Sequence, residues 1–342
     1  MKVSHEIRSE VLWEQKRSQM EVGGMQQTDR AGHRGRVELI DVAPRDGLQN
    51  ESRALFTADK VELIGRLIDA GLARIEIASF ANPKRVPSMA DAVAVCAGAP
   101  RVDGVLYSGL VLNEAGFDRA RDTGLHELTM VVVVTDTFSM KNQKMSTADS
   151  AKAWGRVSAL ARKEGFQTSV TIAAAFGCPY EGDVSLDRLA EVTAAVAVGD
   201  PDEIVIADTI GVGVPSHVED VIGTVRAITP DVKLRGHFHN TRNTAVANVV
   251  AAFGAGVRAF DASIGGIGGC PFAPGATGNV ATEDLVYLFD RMGVETGVSL
   301  DALVEIVPWL EEKLGHPAAG QLSRAGAFPR QLPDPTCVTE PR

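Results

Sequence analysis

VELIDVAPRDGLQNE (37–51) opens the regular part of this chain and carries both halves of its architecture. Val37 to Val42 is a short run rich in β-branched residues, suited to a strand, and Pro44 ends it. A polar turn with Arg45 and Asp46 follows. TADKVELIGRLIDAG (57–71) then repeats apolar residues at helical spacing, and RIEIASF (74–80) reads as a second strand. The alternation continues through GVLYSGLV (104–111), LTMVVVV (128–134), SVTIAAAF (169–176), EIVIADT (203–209), KLRGHFHN (233–240) and RAFDASIGG (258–266). Several helix-like stretches between them begin at Thr, Asp or Asn and end in glycine, as capped helices do. Eight strands, each read as apolar on both faces and separated by helices, predict parallel strands buried on both sides. Eight strands also close a (β/α)8 barrel, which needs about 250 residues. The expected organisation is an α/β TIM barrel over residues 37–325. A flexible arm (1–36) precedes it and a loose tail (326–342) follows. An open doubly wound sheet is the runner-up, but GVGVP (211–215) is no GxGxxG fingerprint.

Composition narrows the partners. Of the 342 residues 45% are hydrophobic, ample for a large core, and the net charge is -10. That balance argues against nucleic acid or an anionic membrane surface as the main partner. Cys96, Cys178, Cys270 and Cys337 are far apart with no CxxC, so neither a structural zinc nor a disulfide scaffold is suggested, and a cytoplasmic setting is expected. No apolar stretch approaches the roughly 18–20 residues of a membrane span. The first 36 residues lack a secretory core, and Glu6, Glu10 and Glu14 argue against a mitochondrial presequence.

In a barrel of this kind reactive groups gather at the carboxyl ends of the strands. Arg45 and Asp46 follow strand 1, Glu76 lies near the end of strand 2 and Asp208 ends strand 6. RGHFHN (235–240) places His237 and His239 on one face of strand 7, because side chains alternate with period two. A lone HxH is a weak metal signal; its convergence with Asp46 and with Asn279, in the glycine-rich loop after strand 8, is a stronger one. Two imidazoles, a carboxylate and an amide oxygen suit octahedral Mg2+ or Mn2+ with open positions for substrate oxygens. Lys141 and Asn142, after strand 4, fall on the same rim.

VAPRDGLQNE, IEIASF, FGCPYEG, ADTIGVG, HFHN and GGCPFAPGATGNVATED, in that order from Val37 to Leu314, resemble the 3-hydroxy-3-methylglutaryl-CoA lyases. These belong to the metal-dependent TIM-barrel lyases and Claisen-condensing enzymes. The resemblance implies retro-Claisen cleavage of 3-hydroxy-3-methylglutaryl-CoA, or a close 3-hydroxyacyl-CoA analogue, to acetyl-CoA and acetoacetate or the corresponding oxoacid. It implies Asp46, His237, His239 and Asn279 as metal ligands and Cys270 as the acid that protonates the acetyl-CoA enolate. It also implies a part for His237 in proton transfer as well as ligation. Arg45 is suited to the thioester oxygen as that oxygen gains charge. Glu76 and Asp208 read as carboxylates that orient Arg45 and a histidine or water, with a direct catalytic part as the other reading. Lys141 and Asn142 are candidates for the CoA moiety. The family commonly forms homodimers.

One position departs from the pattern. The lyases usually continue after the histidines with an Asp-Thr-Tyr-Gly-type run; here it is Asn240, Thr241, Arg242, Asn243. Either Arg242 meets a polar or anionic branch of a different acyl group, or it pairs with Asp208 or a helix carboxylate and the usual substrate is kept. The same barrel also serves aldolases and acetyl-CoA-condensing enzymes that act on 2-oxoacids. The thiol-bearing glycine loop distinguishes the lyase reading from these.

Overall fold

The computed structural model describes residues 35–269 and 278–328. Eight parallel strands close into a barrel: β1 (Glu38–Asp41), β2 (Arg74–Ser79), β3 (Leu106–Leu110), β4 (Glu127–Val133), β5 (Gln167–Ala173), β6 (Glu203–Asp208), β7 (Lys233–Phe238) and β8 (Ala259–Ala262). Each pairs with its sequence neighbour, and β8 returns to β1 with Glu38 opposite Ala259 and Asp41 opposite Ala262. The crossover helices form the outer ring. Among them are α1 (Thr57–Asp69), α2 (Ala92–Gly98), α3 (Glu114–Ala120), α4 (Asp136–Asn142), α5 (Thr147–Lys163), α6 (Leu186–Ala197), α7 (Pro215–Ile228) and α8 (Ala245–Gly254). Helices α9 (Thr282–Met292) and α10 (Leu300–Leu314) complete it. The TIM barrel expected from the alternation of strands and helices is the fold.

The helices form for the reasons the pattern gave, with one revision at their starts. In α1 Leu63, Ile64 and Leu67 make one buried apolar stripe, which Lys60 extends with its ammonium reaching Asp91 at 2.6 Å. Thr57, however, is the first helical residue and caps nothing. The side-chain caps are Asn113, Ser146, Ser185 and Ser299, each accepting a backbone N–H three residues on. Gly293 and Gly315, both left-handed, close α9 and α10.

The strands are buried on both faces, but not apolar on both. Outward residues such as Ile75, Ile77, Val170, Ile172, Ile204 and Ile206 pack under the helices. The inner face carries charge instead: Arg74, Glu76, Glu127, Glu203, Arg235 and Asp261 are all buried. Such groups are tolerated inside only when paired. Arg74 lies 2.6 Å from Glu203 and 2.9 Å from Glu127, and Arg235 lies 3.1 and 3.2 Å from the same two. The barrel is therefore closed below by an ionic floor and open above.

Of the expected arm, Gly35 and Arg36 are described, and Glu295 N–H donates to the Gly35 carbonyl at 3.1 Å. The rest of the arm, and the tail beyond Phe328, lie outside the described residues. No helix among the described residues is long and apolar enough to cross a membrane.

Candidate active site

The site begins with a turn. After β1 the chain makes one wide, π-type turn over Ala43–Gly47, with Gly47 and Arg45 both donating to the Val42 carbonyl. Pro44 fits its second position, still in the first turn where no N–H is required. Gly47 is needed because a Cβ there would lie 2.8–2.9 Å from Ile267 and from Ser263 Oγ. The turn thus packs directly against the segment after β8 and aims Arg45 and Asp46 over the barrel mouth.

Arg45 sits between two carboxylates. Its Nε and Nη2 lie 2.7 and 2.5 Å from Glu76 Oε2, and Nη1 lies 2.7 Å from Asp46 Oδ1. Burial opposes its charge, but Glu76 and then Asp46 outweigh burial and hold it firmly protonated. Burial also pushes Asp46 upward; Arg45, His237 and His239 outweigh that and bring its carboxyl down to about 2. Glu76 moves up, chiefly because burial exceeds the pull of Arg45, and its second oxygen is buried without a hydrogen-bond partner.

His237 and His239 project from β7 and the residue just past it, their ring centroids 5.1 Å apart. One ligand atom from each, with one carboxylate oxygen of Asp46, all lie within 4.8 Å of one another. Octahedral ligands at about 2.1 Å from a cation stand about 3 Å apart when adjacent and about 4.2 Å when opposite, so modest contraction would close the set. His239 Nδ1 is buried without a partner, and burial, then His237, lower this imidazole's pKa to about 4. A neutral histidine with a bare buried nitrogen is what a cation site requires. His237 differs: burial opposes its protonation, but a 3.0 Å hydrogen bond from Nδ1 to Asp261 and the Asp261 charge raise its pKa.

Asn279 reaches the cluster, with its amide nitrogen foremost: Nδ2 donates to Asp46 Oδ2 at 2.8 Å and to the Ile267 carbonyl at 3.2 Å. Ligation through its oxygen requires the amide to turn over.

These groups line a cavity of about 300 Å³ at the carboxyl ends of the strands. Arg45, Asp46, Glu76, His237 and His239 all border it, as does Asn142. Four expected positions do not: Asn279, which sits behind Asp46, and Asp208, Arg242 and Lys141. Asp208 faces away from the lumen, and its two carboxylate oxygens accept the N–H groups of Val212 and Gly213, both at 2.9 Å. Its pKa is raised, mainly by burial. Arg242 makes no direct ion pair with a carboxylate among the described residues and does not border the cavity, although its charge acts on Asp208; its Nη1 donates to the carbonyls of Ile210 and Gly211 at 2.9 and 3.0 Å. Asp208 and Arg242 therefore pin the same loop, one through its donors and one through its acceptors. Lys141 lies over the Tyr180 ring, 4.7 Å from the centroid, outside the cavity. Cys270 lies outside the described residues; Gly269, just before it, borders the cavity mouth and accepts a hydrogen bond from Asn50.

The sequence reading missed Asp261 and Arg235, which border the cavity and connect His237 to the ionic floor. Parity could have found Arg235, which shares a face with His237 and His239. It also missed Gln49, Asn50 and Arg85 at the mouth, and Ser108, Thr129 and Thr171 on the opposite wall.

Known proteins resemble this chain over most of its length. The model of the HMGL-like family matches residues 36–308. An (R)-citramalyl-CoA lyase from Chloroflexus aurantiacus is 44% identical over 301 residues, 85% of this chain and 95% of that protein. The hydroxymethylglutaryl-CoA lyase YngG of Bacillus subtilis is 40% identical, covering 82% of this chain and 94% of its own. Among solved structures, the hydroxymethylglutaryl-CoA lyase from Pseudomonas aeruginosa superposes with a TM-score of 0.82 at 38% identity, covering 85% of this chain and 97% of that one. An Acinetobacter baumannii HMG-CoA lyase in complex with coenzyme A and 3-methylmalate gives 0.83 at 36%, covering 90% and 100%.

Proposed function

Because the chain belongs to the HMGL-like family and is a carbon–carbon lyase, we propose that it cleaves 3-hydroxy-3-methylglutaryl-CoA or its one-methylene-shorter analogue citramalyl-CoA. The products are acetyl-CoA and the matching oxoacid, acetoacetate from the first and a 2-oxoacid from the second. The observation that carries the reading is the convergence of Asp46, His237 and His239 beside the twice-paired Arg45 in one cavity.

A divalent cation, Mg2+ or Mn2+, held by Asp46, His237 and His239 would supply Lewis-acid polarisation of the substrate's hydroxyl and carboxylate oxygens. Asn279 would join these ligands with its amide turned over, or otherwise steady Asp46 by the bond it already makes. The chemistry then needs a base for the tertiary hydroxyl, a charge sink for the thioester and an acid for the carbanion.

His237 shows one nitrogen to the cavity, because Nδ1 is engaged by Asp261. One nitrogen cannot ligate and accept a proton at once, so this reading keeps His237 as a ligand. The hydroxyl proton goes to Glu76, whose free oxygen is buried and whose pKa burial raises, toward the range useful to a base. As the hydroxyl becomes a carbonyl, the C2–C3 bond breaks and its electron pair moves into the thioester. Arg45 donates to the thioester oxygen as it becomes an enolate oxygen, and its pairs with Glu76 and Asp46 fix it in place beforehand. Cys270 is assigned the final proton transfer to the acetyl-CoA carbanion by the family resemblance. Asn142, on the cavity wall, is the candidate contact for the CoA arm.

Arg242 does not border the cavity, so it gives no reason to expect an extra anionic branch on the acyl group. The likeness to a citramalyl-CoA lyase at 44% is what keeps the shorter acyl chain in the proposal. Product analysis with purified protein and each thioester separately decides between them. Acetyl-CoA with an equal amount of oxoacid from either is the expected result. Failure to cleave both, with condensation or aldol cleavage of 2-oxoacids instead, would replace the lyase reading by the aldolase one.

A further inference from the structure

Inside the barrel, six residues on five strands form a chain of alternating charge from the floor to a site imidazole. Arg74 of β2 bridges Glu127 of β4 and Glu203 of β6. Arg235 of β7 bridges the same two carboxylates and reaches Asp261 of β8, its Nη1 3.3 Å from Oδ1. Asp261 turns its other oxygen to His237 Nδ1 at 3.0 Å. His239 has nothing comparable, since its Nδ1 is buried without a partner.

The sense of each link is fixed by chemistry. Arg235 carries a permanent positive charge 3.3 Å from Asp261 Oδ1, an oxygen with no hydrogen-bond partner, and that charge keeps Asp261 ionised. An ionised carboxylate can only accept, so in the 3.0 Å bond to Asp261 Oδ2 His237 must present N–H at Nδ1. A neutral imidazole has one N–H. Spending it on Asp261 leaves Nε2 as a bare lone pair toward Asp46 and His239.

We infer that Asp261 is a positioning residue that holds His237 in the tautomer able to ligate, and that Arg235 holds Asp261 in turn. The inference rests on the reading of Asp46, His237 and His239 as a divalent-cation site. Asp261→Asn is the sharp perturbation, being almost isosteric. Arg235 would take the amide oxygen, which leaves the NH2 group facing His237 Nδ1. That arrangement demands the opposite tautomer, with a proton on Nε2 where the cation should bind.

Mn2+ binding followed by electron paramagnetic resonance gives a readout independent of turnover. Loss of a partner of this kind weakens metal affinity roughly 10–100-fold. We expect that loss in Asp261→Asn, with kcat at saturating Mn2+ reduced and KM for the CoA thioester little changed. Equal Mn2+ affinity and equal kcat in the variant would overturn the inference. Wild-type protein that takes up no Mn2+ would overturn the cation site itself, and this inference with it. The wild type supplies a check that does not depend on the variant folding. In the Mg2+-loaded protein, side-chain 15N resonances should show His237 protonated at Nδ1; protonation at Nε2 overturns the assignment.

Discussion

Arg45→Lys separates charge from geometry at the centre of the site. Arg45 makes three bonds of 2.5–2.7 Å to two different carboxylates, and only a planar fork can reach both. A lysine ammonium would pair with Glu76 or Asp46 and leave the other buried and unsatisfied. Breaking one buried pair costs about 3–5 kcal/mol, and with one link kept we expect a stability loss on the order of 2 kcal/mol. The catalytic loss should be larger. Removing one well-placed donor to a developing oxyanion costs about 2.7–4 kcal/mol, or about 100- to 1000-fold in kcat. The assay is steady-state cleavage at saturating Mn2+, with Mn2+ affinity measured separately. If Arg45 acts on the thioester oxygen, kcat falls by two to three decades (about 100- to 1000-fold) while Mn2+ affinity changes less than about tenfold. A kcat within about tenfold of wild type once metal is saturating would refute this; Arg45 would then serve only to hold Asp46.

Other perturbations test the surroundings. Burial pushes the Glu283 carboxyl up to about 8 from an ordinary 4.5, with one oxygen accepting from Gly265 N–H and the other unpartnered. Between those values the unfolded chain gives up a proton that the folded state keeps. Stability is therefore full below pH 4.5 and is lost as pH rises toward 8, by about 1.4 kcal/mol per pH unit. Glu283→Gln should accordingly raise Tm at pH 8 and leave it nearly unchanged at pH 4.5; a pH-independent difference would contradict the assignment. Gly268 has φ +107°, and a Cβ there would lie 2.6 Å from Asn279 Nδ2. Gly268→Ala should displace Asn279 from Asp46 and weaken Mn2+ binding, which titration of the purified variant will measure. Arg242→Met should lower stability by about 1–3 kcal/mol, because two loop carbonyls lose their donor. Its kcat/KM ratio for the two thioesters should stay within a factor of about three, about 0.6 kcal/mol; a changed ratio would return Arg242 to the acyl pocket.

The legible part of this molecule was whatever a period of two or of 3.6 could carry. Strand runs and helix stripes gave the closed barrel, and the rule that reactive groups sit at strand carboxyl ends brought Arg45, Asp46, Glu76, His237 and His239 together. Parity was applied to HFH and to little else. Asp208 shares its face with Ile204 and Ile206, which point outward, and that alone removes it from the lumen. Extended to Arg235 and Asp261, the same count would have revealed the charged inner face that the β-branched runs concealed. Arg242 could not be placed this way: its partners are the backbone carbonyls of a loop 31 and 32 residues earlier, and such contacts leave no mark on side-chain type.

Whether Asp46, His237 and His239 hold a cation that turnover requires is decided by stripping the protein of divalent ions with a chelator, resupplying Mg2+ or Mn2+, and following cleavage. The stripped protein should give no acetyl-CoA, and equal amounts of acetyl-CoA and oxoacid should appear once the ion returns. Full turnover of the thioester by metal-free protein would contradict that requirement.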